Sequence, residues 1–218
     1  MFRWISQMVS GGGSASVRTP QNSAEVSEPM TNQNQVRVPA CQYLTDKFPV
    51  LTFGSTPVID MAQWRFQVSG LVEEEMEWTW EEFKAMPATA LTADFHCVTQ
   101  WSRLDNAWEG VSIHEVVKRI KPLPNARYAM LHCYGGYTTN LSLTDLVGDD
   151  VLFAYKHDGE ALAPDHGGPL RLVVPKRYAW KSPKWVRGIE FMENDKPGFW
   201  EQRGYHMVGD PWKEERYG

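Results

Sequence analysis

The stretch Asp94–Gly110, DFHCVTQWSRLDNAWEG, decides how this chain is read. It sets a cysteine beside a histidine where a strand gives way to a turn. From Thr89 to Thr99 the residues alternate. Leu91, Ala93, Phe95 and Cys97 share one face, and Thr92, Asp94, His96 and Val98 share the other, which is the period of a strand. Cys97 therefore lies on the apolar face. The chain is expected to leave the sheet at Thr99–Ser102, where a thiol can reach a cleft rimmed by loops.

Working outward, WRFQVSG (Trp64–Gly70), Arg127–Cys133, Tyr137–Leu143, Val151–Tyr155, Leu170–Pro175 and Trp185–Met192 also read as strands. Thr79 with Glu82 forms a capping box that opens a helix over Trp80–Met86. Ser112 with Glu115 forms a second one. Behind it Ile113, Val116, Val117 and Ile120 give an amphipathic helix ending before Pro122. Asp158-Gly159 marks a turn. Strands dominate and no regular βαβ rhythm appears, so the fold class is α+β. Neither G-x-G-x-x-G nor a Walker signature is present, which weighs against the common nucleotide folds.

The chain has 218 residues, 42% of them apolar, which suits one core-bearing domain plus a tail. Residues 1–38 are rich in Gly, Ser, Asn, Gln and Thr and are expected to be disordered, with the folded domain over 39–218. A net charge of −5 argues against a general nucleic-acid or membrane-surface binder. Three cysteines, Cys41, Cys97 and Cys133, form no disulfide framework and suit a reducing compartment. No apolar run is long enough to span a membrane. The opening MFRWISQMVSGGG is a poor export signal, so the expected location is the cytoplasm. The ten tryptophans are enough to fill a core and to wall a pocket.

Cys97 has three readings. It is a buried structural cysteine, or part of a zinc site made from the pairs His96-Cys97 and His132-Cys133, or a single thiolate ligand to a soft metal whose other ligands come from a cofactor. Strand neighbours point to opposite faces, which disfavours zinc. The third reading requires a separate anion-holding site. Arg171, Lys176, Arg177, Lys181, Lys184 and Arg187 follow PDHGGP (Pro164–Pro169) with no acid among them. Glycines that let backbone N–H groups approach, with His, Arg and Lys as donors, make an anion cradle. A solvated basic face, or a nucleic-acid surface with Tyr178, Trp180 and Trp185 as stacking rings, uses the same residues.

FHCVTQWS, WEGVSIHEVV, GYTTNLSL, APDHGGPLRLVVP and KSPKWVRGIEF follow one another from Phe95 to Phe191. In that order they resemble the sulfite oxidase superfamily, the oxidoreductase molybdopterin-binding domain. The resemblance runs from about Pro39 onward. It is closest to the small single-domain bacterial sulfite oxidase-like oxidoreductases, relatives of the catalytic subunit of the molybdenum methionine sulfoxide reductase. It implies a strand-rich molybdopterin-binding fold with short helices and a molybdenum–molybdopterin cofactor. Cys97 matches the thiolate ligand to the metal, and His166 and Arg171 match positions that hold the pterin and its phosphate. Ser182 and Lys184 match a loop around the phosphate end, Cys133 a cofactor-contacting position, and Phe48–Gly54 the N-terminal contacts.

True sulfite oxidases follow the ligand cysteine with an Asn-Arg-Arg type run. Here the run is Val98-Thr99-Gln100-Trp101-Ser102-Arg103, so only Arg103 is left for an anionic substrate. Trp101 and Tyr137 complete the expected substrate side. The implied activity is two-electron oxygen-atom transfer on a small S-oxide, N-oxide or sulfite-like molecule. The alternative is a non-catalytic member of the same fold. With no second redox motif, electrons are expected to pass to or from a separate cytochrome, flavoprotein or ferredoxin. The chain is expected to be a monomer that binds no nucleic acid. The stretch Gly204–Gly218 is expected to pack back over the domain.

Overall fold

The computed structural model describes residues 37–218. The expectation of disorder over 1–38 falls almost wholly outside them. Among the described residues, eleven strands form two sheets.

The first sheet is built on a long hairpin, β4 (Ala88–His96) and β5 (Trp101–Ser112). On its other edge β5 pairs in parallel with β1 (Tyr43–Leu44) near its start, and antiparallel with β8 (Leu152–His157) near its end. Next to β8 lie β9 (Glu160–Ala161) and β10 (Arg171–Val173). The second sheet runs β3 (Met76–Thr79), β2 (Arg65–Gly70), β11 (Val186–Met192), β6 (Tyr128–Cys133), β7 (Thr138–Ser142). The strand-rich α+β class matches the expectation, and both sheets mix parallel and antiparallel pairs.

Alternation along the strands of the first sheet serves two cores. Val111, Phe153 and Leu172 join the main core, with Trp64, Phe66 and Phe83. Phe95, Trp108, Leu152, Ala154 and Val173 face the other way, into a smaller cluster that includes Cys97 and Trp101. The candidate site grows from this second face.

The helices are short. The capping box opens α1 (Trp80–Lys84): Thr79 Oγ1 accepts from Glu82 N and Glu82 accepts from Thr79 N, an arrangement worth about 1 kcal/mol. α2 (Ile113–Ile120) buries Ile113, Val116 and Ile120 as the periodicity requires. Its expected capping box is incomplete. Ser112 accepts from His114 N, but Glu115 pairs with Arg119 one turn on at 2.6 Å. A third helix, α3 (Leu143–Leu146), is a single turn. Among the described residues no helix is long and apolar enough to cross a membrane.

The largest departure from the sequence reading is β5. Trp101 does not leave the sheet; the chain turns back at once and runs as strand for twelve residues. Gln100 N donates to Cys97 O at 3.0 Å, Cys97 N donates to Trp101 O at 2.8 Å, and Gln100 sits at φ +73°. That is a three-residue hairpin whose last position takes the left-handed conformation. Cys97 is thus the last residue before a tight reversal.

Candidate active site

A cavity of about 530 Å³ opens over the second face of the first sheet. Its walls come from segments far apart in sequence: 48–55, the turn at Cys97, the turn at Tyr134–Gly136, His166, 179–185, and Phe199, Trp200 and Tyr205. Segment 48–58 makes no backbone–backbone hydrogen bond to other described residues. Its side chains hold it instead, through Phe48 inside and Phe53 across Phe199 at 4.8 Å.

Cys97 lines the cavity, 6% exposed. Its sulfur accepts from Thr99 Oγ1 at 3.2 Å. Burial pushes the thiol pKa up, while the Thr99 and Val98 donors and the charge of Arg216 pull the other way. Cys133 is buried in the main core, where desolvation drives its thiol pKa far up, and it is not among the lining residues. The His-Cys pairs stay apart. His96 bonds Ser102, and His132, on the other sheet, bonds Glu190. Among the described residues no three His, Cys, Asp or Glu side chains gather to hold a metal, which removes the zinc reading there.

His166, Arg171 and Lys184 also line the cavity, and no Asp or Glu does. Arg171 begins β10, and Arg171, Leu172 and Val173 are all buried. This strand does not alternate outward, so the solvated-face reading fails for Arg171. Its guanidinium donates to His166 O at 2.9 Å and Ser182 O at 3.0 Å. It lies 5.1 Å from the Phe95 ring and 5.4 Å from Trp108, and its buried Nε has no partner. Burial lowers its pKa to about 9.

Lys184 donates to Thr52 Oγ1 at 2.5 Å and Asp165 O at 2.7 Å, tying segment 48–55 to the PDHGGP turn. Burial, then the charge of Arg171, lowers its pKa to about 8. His166 stacks on Phe48. Gly167, at φ +111°, holds a backbone conformation that strains any side chain, and a Cβ there would press on Lys184 and Arg171 at 3.0–3.1 Å. Ser182 is buried, and its Oγ accepts from Val174 N, so it fixes the loop.

Of the expected substrate residues, Trp101 and Tyr137 line the cavity. The Tyr137 hydroxyl donates to Trp180 O at 2.7 Å. Arg103 is not in the lining; it is held by Asp158, Asn106 and His157. Sequence reasoning passed over the support behind Trp180. Its indole N–H donates to Glu201 at 2.9 Å, and Glu201 pairs at 2.6 Å with Lys181, both side chains fully buried.

The donor set fits a cofactor that brings most of its own metal ligands. It offers a cavity-lining thiol, the buried Arg171 and half-buried Lys184 with no carboxylate in the lining, and on Arg171 an orphaned N–H to meet an anion.

The family described as Oxidoreductase molybdopterin binding domain matches residues 53–200. The chain belongs to that family of molybdopterin-binding oxidoreductases. The match agrees with the sulfite oxidase superfamily expected from the ordered motifs. The chain is 48% identical over 182 residues to the "Uncharacterized oxidoreductase YuiH" of Bacillus subtilis (strain 168), covering 83% of this chain and 92% of that one. It is 25% identical to the protein-methionine-sulfoxide reductase catalytic subunit MsrP of Campylobacter jejuni, covering 84% of this chain and 66% of that one. Among solved structures, the sulfane dehydrogenase SoxCD from Paracoccus pantotrophus shares this chain's fold at 19% identity and a TM-score of 0.59, over 82% of this chain and 56% of that one.

Proposed function

We propose that this molybdopterin-binding oxidoreductase transfers an oxygen atom to or from a small, uncharged S-oxide or N-oxide, with electrons exchanged with a separate protein. The observation that carries the reading is that one cavity is lined by a thiol, Cys97, and by the basic side chains His166, Arg171 and Lys184, with no acid. Cys97 would supply the protein's ligand to molybdenum, and His166, Arg171 and Lys184 the contacts to the pterin phosphate. Ser182 would fix the loop between them. When bound, the cofactor supplies a metal centre that changes oxidation state by two electrons and carries the oxygen.

The chain's own residues orient substrate and exclude water. Trp101, Tyr137, Trp180, Phe199, Trp200 and Tyr205 give the wall near Cys97 an aromatic character. Arg103, the one arginine that could have met sulfite from the run after Cys97, is engaged elsewhere by Asp158 at 2.5 Å. An uncharged oxide therefore fits this wall better than an anion.

The test is elemental analysis for molybdenum and zinc on protein made in a host that synthesises molybdopterin, beside Cys97→Ser and Arg171→Ala. Dye-linked reduction of S-oxides and N-oxides and oxidation of sulfite follow. Molybdenum near one per chain, lower pterin content in Arg171→Ala and S-oxide or N-oxide reduction are the expected results. Faster turnover of sulfite would refute the substrate, and pterin without turnover would favour a non-catalytic carrier.

A further inference from the structure

Two segments distant in sequence close on the turn that carries Cys97. Gln42 Nε2 donates to the Cys97 carbonyl at 3.1 Å, and Tyr43 N donates to Gln100 O at 2.8 Å. Arg216 donates through Nη1 to the Val98 carbonyl. Its guanidinium stands 5.0 Å from the ring of the buried Tyr178, and its Nη2 is buried without a partner.

The segment that delivers Arg216 is itself fixed. Arg216 O accepts from His206 N, Gly218 N donates to Gly204 O, and the rings of Tyr205 and Tyr217 meet at 5.4 Å. Tyr205 in turn lines the cavity. The turn needs such support, because Gln100 occupies the left-handed region, which costs a side-chain-bearing residue about 1–2 kcal/mol. A Val98 carbonyl held from outside fixes the Val98–Thr99 peptide, and with it Thr99, whose hydroxyl donates to the Cys97 sulfur at 3.2 Å; Gln42 holds the preceding peptide through the Cys97 carbonyl. Functional groups must be held to within roughly 0.5 Å by the shell behind them.

We propose that Arg216 is a positioning residue for the Cys97 sulfur: its guanidinium holds the Val98 carbonyl and so aims the thiol into the cavity. This rests on the reading of Cys97 as the molybdenum ligand. The opposing account is that the bond only anchors segment 204–218.

The test uses the full chain with Arg216→Met and Arg216→Lys, read on two signals. In the molybdenum-loaded protein, Arg216→Met is expected to keep its metal within about twofold. It should shift the sulfur-to-metal charge-transfer absorption and lower kcat about tenfold, with KM within about twofold. Arg216→Lys, which keeps a charged donor, should recover most of both. In metal-free protein, amide exchange over Phe95–Trp101 should be about tenfold faster in Arg216→Met, while Leu152–His157 stays unchanged.

An unchanged spectrum and unchanged exchange at the turn would overturn the proposal, even if the melting midpoint fell. If wild type itself takes up no molybdenum, the functional reading fails. The exchange result then still decides whether Arg216 holds the turn. Should Arg216→Met fold poorly, Arg216→Gln is read on the same two signals.

Discussion

The ring of Phe48 lies flat on the imidazole of His166, with centroids 4.5 Å apart and planes 4° apart. Phe48 also meets His157 at 4.7 Å and the edges of Phe95 and Trp108 at 5.7 and 5.8 Å. A ring face thus helps to orient His166, and one aromatic residue joins segment 48–55 to the basic residues of the cavity. Phe48→Ala should cost about 1–3 kcal/mol, seen in urea unfolding, and should lower pterin retention on gel filtration. Phe48→Leu refills volume without the stack. If Leu restores stability but not pterin, orientation is the ring's contribution; full pterin in Phe48→Ala would reduce Phe48 to a filler.

Lys184 should make anion binding depend on pH. Its folded-state pKa is about 8, against about 10.4 in an unfolded chain. Between those values the unfolded chain holds the proton and the folded chain does not, so stability of the cofactor-free protein should rise with pH from about 8 to about 10. Below about pH 8 the buried charge opposes folding, and an anion offsets it. Sulfate, whose own charge is constant over this range, should stabilise the protein most below pH 8 and progressively less above. Thermal melts across pH would show this, with the change that begins near pH 8 absent in Lys184→Met and only the later one from Arg171, whose pKa is about 9, remaining. A flat wild-type profile would place Lys184 away from any anion.

The Lys181–Glu201 pair carries the wall. With both side chains at 0% exposure, removing one partner strands the other, at a cost of about 3–5 kcal/mol. Glu201→Leu and Lys181→Met should each lower the denaturation midpoint, and the double variant should lose less than their sum. Trp180 fluorescence should shift in Glu201→Leu, because its indole loses its acceptor. Additive losses would mean that the two residues do not act as a pair.

Cys97→Ser should fold with nearly wild-type stability, since the exchange removes little volume and keeps a group that can accept from Thr99. It should also hold little or no molybdenum and reduce no oxide. Elemental analysis beside far-ultraviolet circular dichroism separates these effects. A molybdenum-replete, active Cys97→Ser would remove the residue from its role.

What the sequence disclosed, and what it hid, follows from where polar residues sit. The Thr89–Thr99 alternation located both the strand and the side of it that Cys97 faces. Strand β5 was hidden because Ser102 and Asn106 are buried and hydrogen-bonded within it, and Asp105 takes φ +53°. Polar residues facing inward defeat a hydrophobicity pattern. The basic run from Arg171 to Arg187 was visible as charge, but a charge list does not separate Arg171, buried and unpaired with any acid, from Lys181, neutralised by Glu201, or from the exposed Arg187. The PDHGGP turn was legible because glycine spacing is local. The supports behind Trp180 and the Cys97 turn are long-range, and no local pattern encodes them.

That remoteness has a consequence for biosynthesis. Arg216 meets the carbonyl of Val98 across 118 residues of chain, and Lys184 reaches Thr52 across 132. A nascent chain exposes Cys97 long before either tie can form, and non-local pairings are slow to assemble. The cavity is therefore finished only after translation has passed residue 216. Loading of its cofactor would then be a late event, made on a chain in which both ties have formed.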